Sequence, residues 1–411
     1  MAALREALAR SGDLAPGGEV PGPDPRSLPL SDGGVLRLAR GFEGEYDVSV
    51  RPPGLALSEA VGVLGEEDLA IHLGLKDRRE PKTRLETGTV VRRRVHEAPG
   101  ARQCFLTVRA PHIARHVRAG QFANLRADGR GRGFLPGYHV VEDWTELQGS
   151  PNGRPDTLHL SRLPMSVQGA FPVLAGPWAA ETRLLPHLPR LVRHLLRPAG
   201  CDHLEFGLKV VGHGTQALAD VQEGETLEIL GPLGLEAPLP LEYRRVLLVA
   251  GGIGLTALSL LAERLRRRGD EVRLLVGARD RDQLYPSADA PDRFIAPAYE
   301  QMGVPVEPVT EQQDSRFVTD RLQELLASSQ TPTYDAVYSC GPWVMMKKVA
   351  ALCRVAAMPC WVMLEQRMEC GIGVCMSCVC ATLNSDGSGD WSPTRVCRHG
   401  PTFNALDVCW E

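Results

Sequence analysis

Four cysteines near the end of the chain constrain it most. They fall in Cys370-Gly-Ile-Gly-Val-Cys375-Met-Ser-Cys378-Val-Cys380, and then in Arg395-Val-Cys397-Arg-His-Gly-Pro-Thr-Phe403. The spacing C-x4-C-x2-C…C is that of a plant-type [2Fe–2S] cluster, which is held by four thiolates. Cys370, Cys375 and Cys378 share one tight loop, and Cys397 is expected on a distant strand. The small residues Gly371, Gly373 and Ser377 let backbone N–H groups turn toward sulfur, where hydrogen bonds tune the potential. Four cysteines also suit a structural zinc or two disulfides. Zinc ribbons favour paired C-x2-C knuckles, however, and only Cys375 and Cys378 make such a pair.

The chain has 411 residues with a net charge of −4, so it carries no basic footprint for nucleic acid. Of its 11 cysteines, nine lie from Cys340 onward, which argues for a metal site in a reducing compartment rather than an extracellular disulfide framework. The charged N-terminus lacks an apolar signal region. The longest apolar stretch, Val246–Ala262, is short and broken by glycines, so no membrane span is expected. The expectation is a cytoplasmic protein.

Residues 1–85 are expected to form an unassigned extension that packs or docks without chemistry. Pro16–Pro29 reads as a linker, Val35–Val50 as a strand or two, and Ser58–Leu75 as a short helix. From residue 86 to 239, short strands with Gly/Pro turns suggest an antiparallel β-barrel. Polar insertions interrupt it at about 127–156 and 171–203. From residue 240 to 358 the period changes. Arg245-Val-Leu-Leu-Val-Ala250 is a buried parallel strand, followed by Gly251-Gly-Ile-Gly254 and a helix. Glu271–Gly277 and Ala336–Cys340 are further strands, the latter ending at Gly341-Pro342. This is the pattern of a doubly wound α/β domain. Residues 359–411 are left as a small cluster domain.

A glycine turn between a buried strand and a helix start accommodates a pyrophosphate. Gly251, Gly252 and Gly254, with Gly341 and Pro342, are therefore the expected dinucleotide contacts. Cys340 would lie near a nicotinamide, or simply end its strand as a buried thiol. A nicotinamide delivers two electrons as hydride, whereas a [2Fe–2S] cluster takes one at a time. A flavin is the usual intermediary, and the barrel is its expected holder. Pro164-Met165-Ser166 and Gly212-His-Gly214-Thr215 offer a hydroxyl and turn N–H groups to its pyrophosphate.

The order of these motifs resembles the ferredoxin–NADP reductase superfamily, and within it the electron-transfer subunits of type B dihydroorotate dehydrogenase. The matching residues are Gly120-Gln-Phe122, Pro164-Met-Ser166, Lys209-Val-Val-Gly-His-Gly-Thr215, Leu230-Gly-Pro-Leu-Gly234, Gly251-Gly-Ile-Gly254, Cys340-Gly-Pro342, Glu365–Cys380 and Val396–Phe403. They cover about residues 87–411. The resemblance implies FAD on the barrel, contacted by Pro164, Met165, Ser166, Leu208, Lys209, Gly214 and Thr215. It also implies NAD(H) on the α/β domain, with Cys340 at the reacting end. The implied cluster ligands are Cys370, Cys375, Cys378 and Cys397, and Cys380 is not one of them. The implied partner is an FMN-containing dihydroorotate dehydrogenase catalytic subunit, in a hetero-oligomer serving pyrimidine biosynthesis. Related modules serve hydrogenases, sulfite reductases, glutamate synthase and transhydrogenases, so a reductase subunit for another partner is the alternative. The family has Arg-Pro-x-Ser at the flavin strand, where this chain has Leu163. A scaffold subunit lacking FAD is thus a further alternative. Asp280 favours NAD and Arg279 or Arg281 favours NADP at the end of the second α/β strand.

Overall fold

The computed structural model describes residues 2–15, 27–40, 45–55, 59–65, 70, 82–98, 101–127, 163–171, 188–197, 201–284, 299, 301–327, 334–384 and 388–410. Most of the two expected insertions lies outside them, as do residues 16–26 of the expected linker.

The N-terminal extension folds into a sheet of its own. Strands β1 (Ser27–Pro29), β2 (Val35–Arg40), β3 (Glu45–Arg51) and β4 (Glu59–Gly65) pair in that order. β4 stands where a helix is expected from Ser58. Its partners explain why: β3 pairs along almost its whole length, and a strand edge next to it outweighs weak local propensity. The helix Ala2–Arg10 buries Leu4 and Leu8 against Leu36, Leu38, Val48 and Val50.

A second sheet follows. Its strands are β5 (Arg84–Ala98), β6 (Ala101–Arg109), β7 (Phe122–Ala127), β8 (Leu163–Phe171), β10 (His203–Lys209) and β11 (Thr226–Leu233). They pair antiparallel in the ring order β10-β6-β5-β11-β7-β8, and β8 returns to β10. Alternation fills the interior with Val90, Leu106, Val108, Ala123, Leu125, Leu204, Phe206, Leu227 and Ile229. β9 (Leu196–Arg197), from the second insertion, leaves this unit and pairs with β4. The extension and that insertion therefore build one layer together.

The third sheet has the order β14-β13-β12-β15-β16-β19. Its members are β12 (Arg245–Gly251), β13 (Glu271–Ala278), β14 (Val306–Thr310), β15 (Ala336–Cys340), β16 (Cys360–Met363) and β19 (Thr402–Asn404). The first five run parallel, and β19 adds antiparallel to β16. The chain moves from β12 outward to β13 and β14, then returns to β15 on the other side. That reversal is the switch point where open α/β sheets leave a crevice. The boundary expected at 358/359 falls within this sheet, because β16 and β19 both come from the cysteine-rich segment. Only β17 (Val379–Leu383) and β18 (Trp391–Arg395) stand apart, as a hairpin.

A buried Asp270 carboxylate, paired with two arginines, ties the units together. The helix Leu255–Arg268 ends on Gly269, a left-handed C-cap (φ 89°). Arg268 is almost wholly buried, bonds Asp270, and donates to the carbonyls of Leu239, Pro240 and Tyr243 in the connection from the second sheet. Arg190 of the second insertion reaches the same Asp270 and donates to the Leu241 and Tyr243 carbonyls. Charges this deep persist only when paired and hydrogen-bonded.

Candidate iron–sulfur, flavin and nucleotide sites

The cysteine loop 370–378 carries three residues in the left-handed region: Gly371 (φ 71°), Gly373 (φ 85°) and Met376 (φ 61°). A methionine there costs about 1–2 kcal/mol. Such backbone turns N–H groups inward, and those of Val374 and Cys375 donate to Cys370 Sγ at 3.3 and 3.4 Å. The Cys397 N–H donates to Cys378 Sγ at 3.4 Å. Arg395 donates to the Gly373 carbonyl at 2.8 Å and holds the loop against the hairpin.

The four thiols come together as two pairs. Cys375 hydrogen-bonds Cys370, and Cys397 hydrogen-bonds Cys378. Among the described residues, no three metal-binding side chains converge where a single ion would sit. Two pairs, by contrast, fit a two-iron cluster with two protein ligands on each iron. The Ser377 hydroxyl and neighbouring N–H groups bring the Cys375 thiol down to about 6, so it is a thiolate at neutral pH. Burial, and then Cys378, push Cys397 up to about 12. Metal binding must displace that proton. Cys397 lies in a one-turn helix, Val396–His399, rather than on a strand. The helix follows β18, so β18 delivers the ligand and the turn aims it. Cys380 is buried on β17, and burial raises its thiol to about 11.

The loop packs on the barrel sheet. A Cβ on Gly371 would overlap the Asn124 carboxamide and reach within 2.9 Å of Leu233 Cδ1. At the same junction Leu235 N–H donates to the Gly400 carbonyl at 2.6 Å, and Gln121 donates to the Gly234 carbonyl at 2.8 Å. The Gly120, Gly231–Gly234 and Gly400 turns therefore meet where the barrel adjoins the cysteine segment.

On the barrel, register sets Phe122 opposite Ser166, Ala123 opposite Met165, and Asn124 opposite Pro164. Met165 is half-buried, and Leu163 pairs with Leu125. Leu208, an expected cofactor contact, is buried in the barrel core and leaves only its backbone for a ligand. Lys209, one residue on, is half-buried at the strand end. The expected glycine turn is in fact a helix start, because His213–Asp220 is helical. The Thr215 hydroxyl accepts from the Val211 and Gly212 N–H groups and donates to the Gly212 carbonyl. That hydroxyl caps the helix, and Gly214 and Thr215 present first-turn N–H groups, the feature that attracts phosphate.

At the α/β switch point two glycine turns interlock. A Cβ on Gly251 would meet Met345 Sδ at 2.8 Å, and one on Gly254 would lie 2.7 Å from the Cys340 carbonyl carbon. Gly341 is equally confined, at 2.8 Å from Gly251 N. Gly252 takes φ 52° with open space around it. Pro342 is the N-cap of the helix Trp343–Val355. The first turn of Leu255–Arg268 and both turns thus border one crevice. Cys340 ends β15 half-buried. Burial, and then Glu365, push its thiol up to about 12, so it is neutral and not a nucleophile. Asp280 accepts from Gln283 N–H at the end of β13, flanked by exposed Arg279 and Arg281.

Comparison with known proteins bears on the family and the fold. Residues 365–409 match the family model of the iron–sulfur cluster binding domain of dihydroorotate dehydrogenase B. The chain is 32% identical over 207 residues to the dihydroorotate dehydrogenase B (NAD(+)) electron transfer subunit of Clostridium perfringens, covering 50% of this chain and 76% of that protein. It is 33% identical over 224 residues to the same subunit of Desulforamulus reducens, covering 54% and 80%. The chain belongs to this family. The fold is shared with the NADH-dependent reduced ferredoxin–NADP oxidoreductase, at a TM-score of 0.53 and 22% identity over 79% of this chain and 90% of that one. Among the described residues, no helix is long and apolar enough to cross a membrane.

Sequence reasoning passed over Asn124. Its only signal is alternation along Phe122-Ala-Asn-Leu-Arg126, which puts a polar residue on the same face as Phe122.

Proposed function

We infer that this chain is an electron-transfer subunit that passes electrons between NAD(H), FAD and a [2Fe–2S] cluster, and onward to or from a partner enzyme. The observation that carries this reading is the cysteine loop. Its four thiols form two pairs, and the same loop lies directly against strand β7 of the barrel. The groups present fit each cofactor: thiols for two irons, helix N–H groups at Gly214 and Thr215 for the flavin, and interlocked glycine turns for the dinucleotide.

Cys370, Cys375, Cys378 and Cys397 would hold the cluster. Pro164, Met165, Ser166, the Leu208 and Lys209 backbone, Gly214 and Thr215 would border the FAD. Gly251, Gly252, Gly254, Gly341 and Pro342 would cradle the NAD(H) pyrophosphate, with the Cys340 thiol as a neutral wall beside the nicotinamide. When bound, the flavin supplies the conversion between hydride and single electrons. The chain's own part is to bind, align and exclude water. Residues 86–239, 240–358 and 359–411 serve as flavin, nucleotide and cluster units, with the last sharing its sheet with the second.

The proposed partner is the catalytic subunit of a dihydroorotate dehydrogenase; the relatives are named as electron transfer subunits of dihydroorotate dehydrogenase B, and an FMN in that partner is what the family resemblance implies. The cluster loop is the outlet toward it. Ile372, Val374 and Met376 are 49%, 75% and 47% exposed, an apolar tip beside the thiols that suits a docked protein. Leu163, where the family carries arginine, is the feature that favours the reading without FAD, and flavin analysis decides between the two.

Anaerobic purification with iron, sulfide and flavin analysis tests this reading, followed by electron paramagnetic resonance of the reduced protein. Expected are roughly two irons per chain, released FAD and a [2Fe–2S] signal. A chain that takes up no flavin, or only zinc, would sink it. Co-expression with the catalytic subunit should give a complex that reduces NAD+ with dihydroorotate.

A further inference from the structure

A cavity of about 640 Å³ opens where three separate parts of the chain meet. Turns of the N-terminal extension supply Ser11, Asp13, Ser31 and Asp32. The helix Arg190–Leu195, from the second insertion, supplies Arg190 and Arg193, and the connection into β12 supplies Glu242 and Arg244. The volume is that of a small-molecule site. Charge is divided by origin. The extension brings hydroxyls and carboxylates, whereas all three arginines come from the other two segments. Arg193 lies against Gly269, next to the Asp270 carboxylate that Arg190 and Arg268 already share. Burial, and then Arg190, hold the Arg193 guanidinium below its ordinary range, and Arg244 adds to this while Asp270 and Asp13 oppose it. Arginines close enough to repel one another across a cavity form a site where an anion is favoured.

We propose that this cavity binds a small phosphate monoester, with Arg190, Arg193 and Arg244 around the phosphate and Asp13 and Asp32 accepting from hydroxyl groups on the rest of the ligand. A guanidinium presents a planar fork of donors that matches phosphate oxygens, and such bonds are charge-assisted. A dianion offsets the repulsion among three arginines better than a single carboxylate does. The two aspartates are held in place. The Ser11 hydroxyl donates to Asp13 at 2.5 Å, and the Gly34 N–H donates to Asp32 at 2.8 Å. An ionised carboxylate only accepts hydrogen bonds. The part of the ligand facing the aspartates must therefore donate, as the hydroxyls of a polyol or sugar do. The same carboxylates repel a second phosphate, which selects a monoester with one charged end. Two of the three walls are the extension and the second insertion, which carry none of the motifs shared with the family. Pairing of β4 with β9 holds these two segments together beside the cavity. The proposal does not depend on the electron-transfer reading.

Titration calorimetry on the full chain tests this, with glycerol 3-phosphate, inorganic phosphate and glycerol as probes. Glycerol 3-phosphate should bind, inorganic phosphate should bind more weakly, and glycerol should give no heat of binding. Arg193→Gln should weaken glycerol 3-phosphate about tenfold to a hundredfold, the effect of losing charge-assisted hydrogen bonds. Arg244 is exposed, and only its backbone N–H is needed by Asp335. Arg244→Gln should therefore fold normally and weaken the same probe about threefold to tenfold, so it carries the test even where Arg193→Gln melts early. Asp13→Asn should cut the preference for glycerol 3-phosphate over inorganic phosphate about threefold, as loss of one hydrogen-bond acceptor does. If both arginine variants bind glycerol 3-phosphate as tightly as wild type, the phosphate lies elsewhere and the proposal is overturned. If inorganic phosphate binds as tightly as glycerol 3-phosphate, the cavity takes an adventitious ion only, and the proposal also falls.

Discussion

The interlocked glycine turns make Gly254→Ala the most informative substitution at the nucleotide crevice. A Cβ at position 254 would lie 2.7 Å from the Cys340 carbonyl carbon and 3.0 Å from Gly341 N, and closer still to the Cys340 oxygen. Ordinary contacts between carbon atoms are about 3.5–4.0 Å. The end of β12 must therefore move about 1 Å from the end of β15. All three obstructing atoms are backbone, and β12 and β15 are paired in register from Val246↔Ala336 to Ala250↔Cys340. No rotamer change relieves the clash. Overpacking of this kind costs about 1–3 kcal/mol. A 1 Å misplacement in a reacting geometry costs up to about a hundredfold in rate. Flavin reduction by NADH, followed by stopped-flow absorbance, should thus fall about tenfold to a hundredfold in kcat/KM, with flavin content and cluster signal unchanged. Gly252→Ala is the control. There the new Cβ meets nothing within 4 Å, and only the φ of 52° is strained, at about 1–2 kcal/mol. If Gly254→Ala keeps wild-type nucleotide dependence and thermal stability, the two turns do not form the cradle described here.

Three other outcomes follow from the geometry. Cys397→Ser should abolish or destabilise the [2Fe–2S] signal while NADH still reduces the flavin, and Cys380→Ser should leave the signal intact; losing it there would redraw the ligand set. Thr215→Val removes the acceptor for the Val211 and Gly212 N–H groups, so flavin retention should weaken and the helix lose about 1 kcal/mol, read by flavin release on dilution and by thermal melts. Asp335 accepts from the backbone N–H groups of Arg244 and Arg245 and from the Arg245 guanidinium; burial opposes its ionisation, but these bonds outweigh it and hold its carboxyl below the usual range. A lowered folded-state value means its stabilisation is present above about pH 4, the unfolded value, and is lost as pH falls through the lower folded one. Asp335→Asn should cost about 1–2 kcal/mol at pH 7, and the gap to wild type should close in denaturant titrations toward pH 3; a pH-independent gap would contradict this.

Much of this protein is local and therefore written along the chain. Cysteine spacing determines the cluster loop, because three ligands lie within nine residues and their glycines set the backbone. The apolar run Val246–Ala250 before a glycine turn determines the parallel strand and the crevice beside it, because burial on both faces leaves no alternation to misread. Other features needed contacts between distant segments. The stretch from Ser58 has weak propensity, and only the edge of β3 makes it a strand. Leu208 reads as a cofactor contact in sequence, but strand register turns it into the barrel core. β16 joins the nucleotide sheet by parallel pairing with β15, and β19 adds antiparallel to β16, because this pairing satisfies backbone groups that a separate cluster unit would leave bare. Asn124 is the clearest instance. Along the chain it is one polar residue in a strand, and nothing nearby marks it. Its surroundings are set only when the fold buries both amide atoms and lays Gly371 across them, leaving them without a hydrogen-bond partner among the described residues, because burial is a property of the space around a residue and not of its neighbours in sequence.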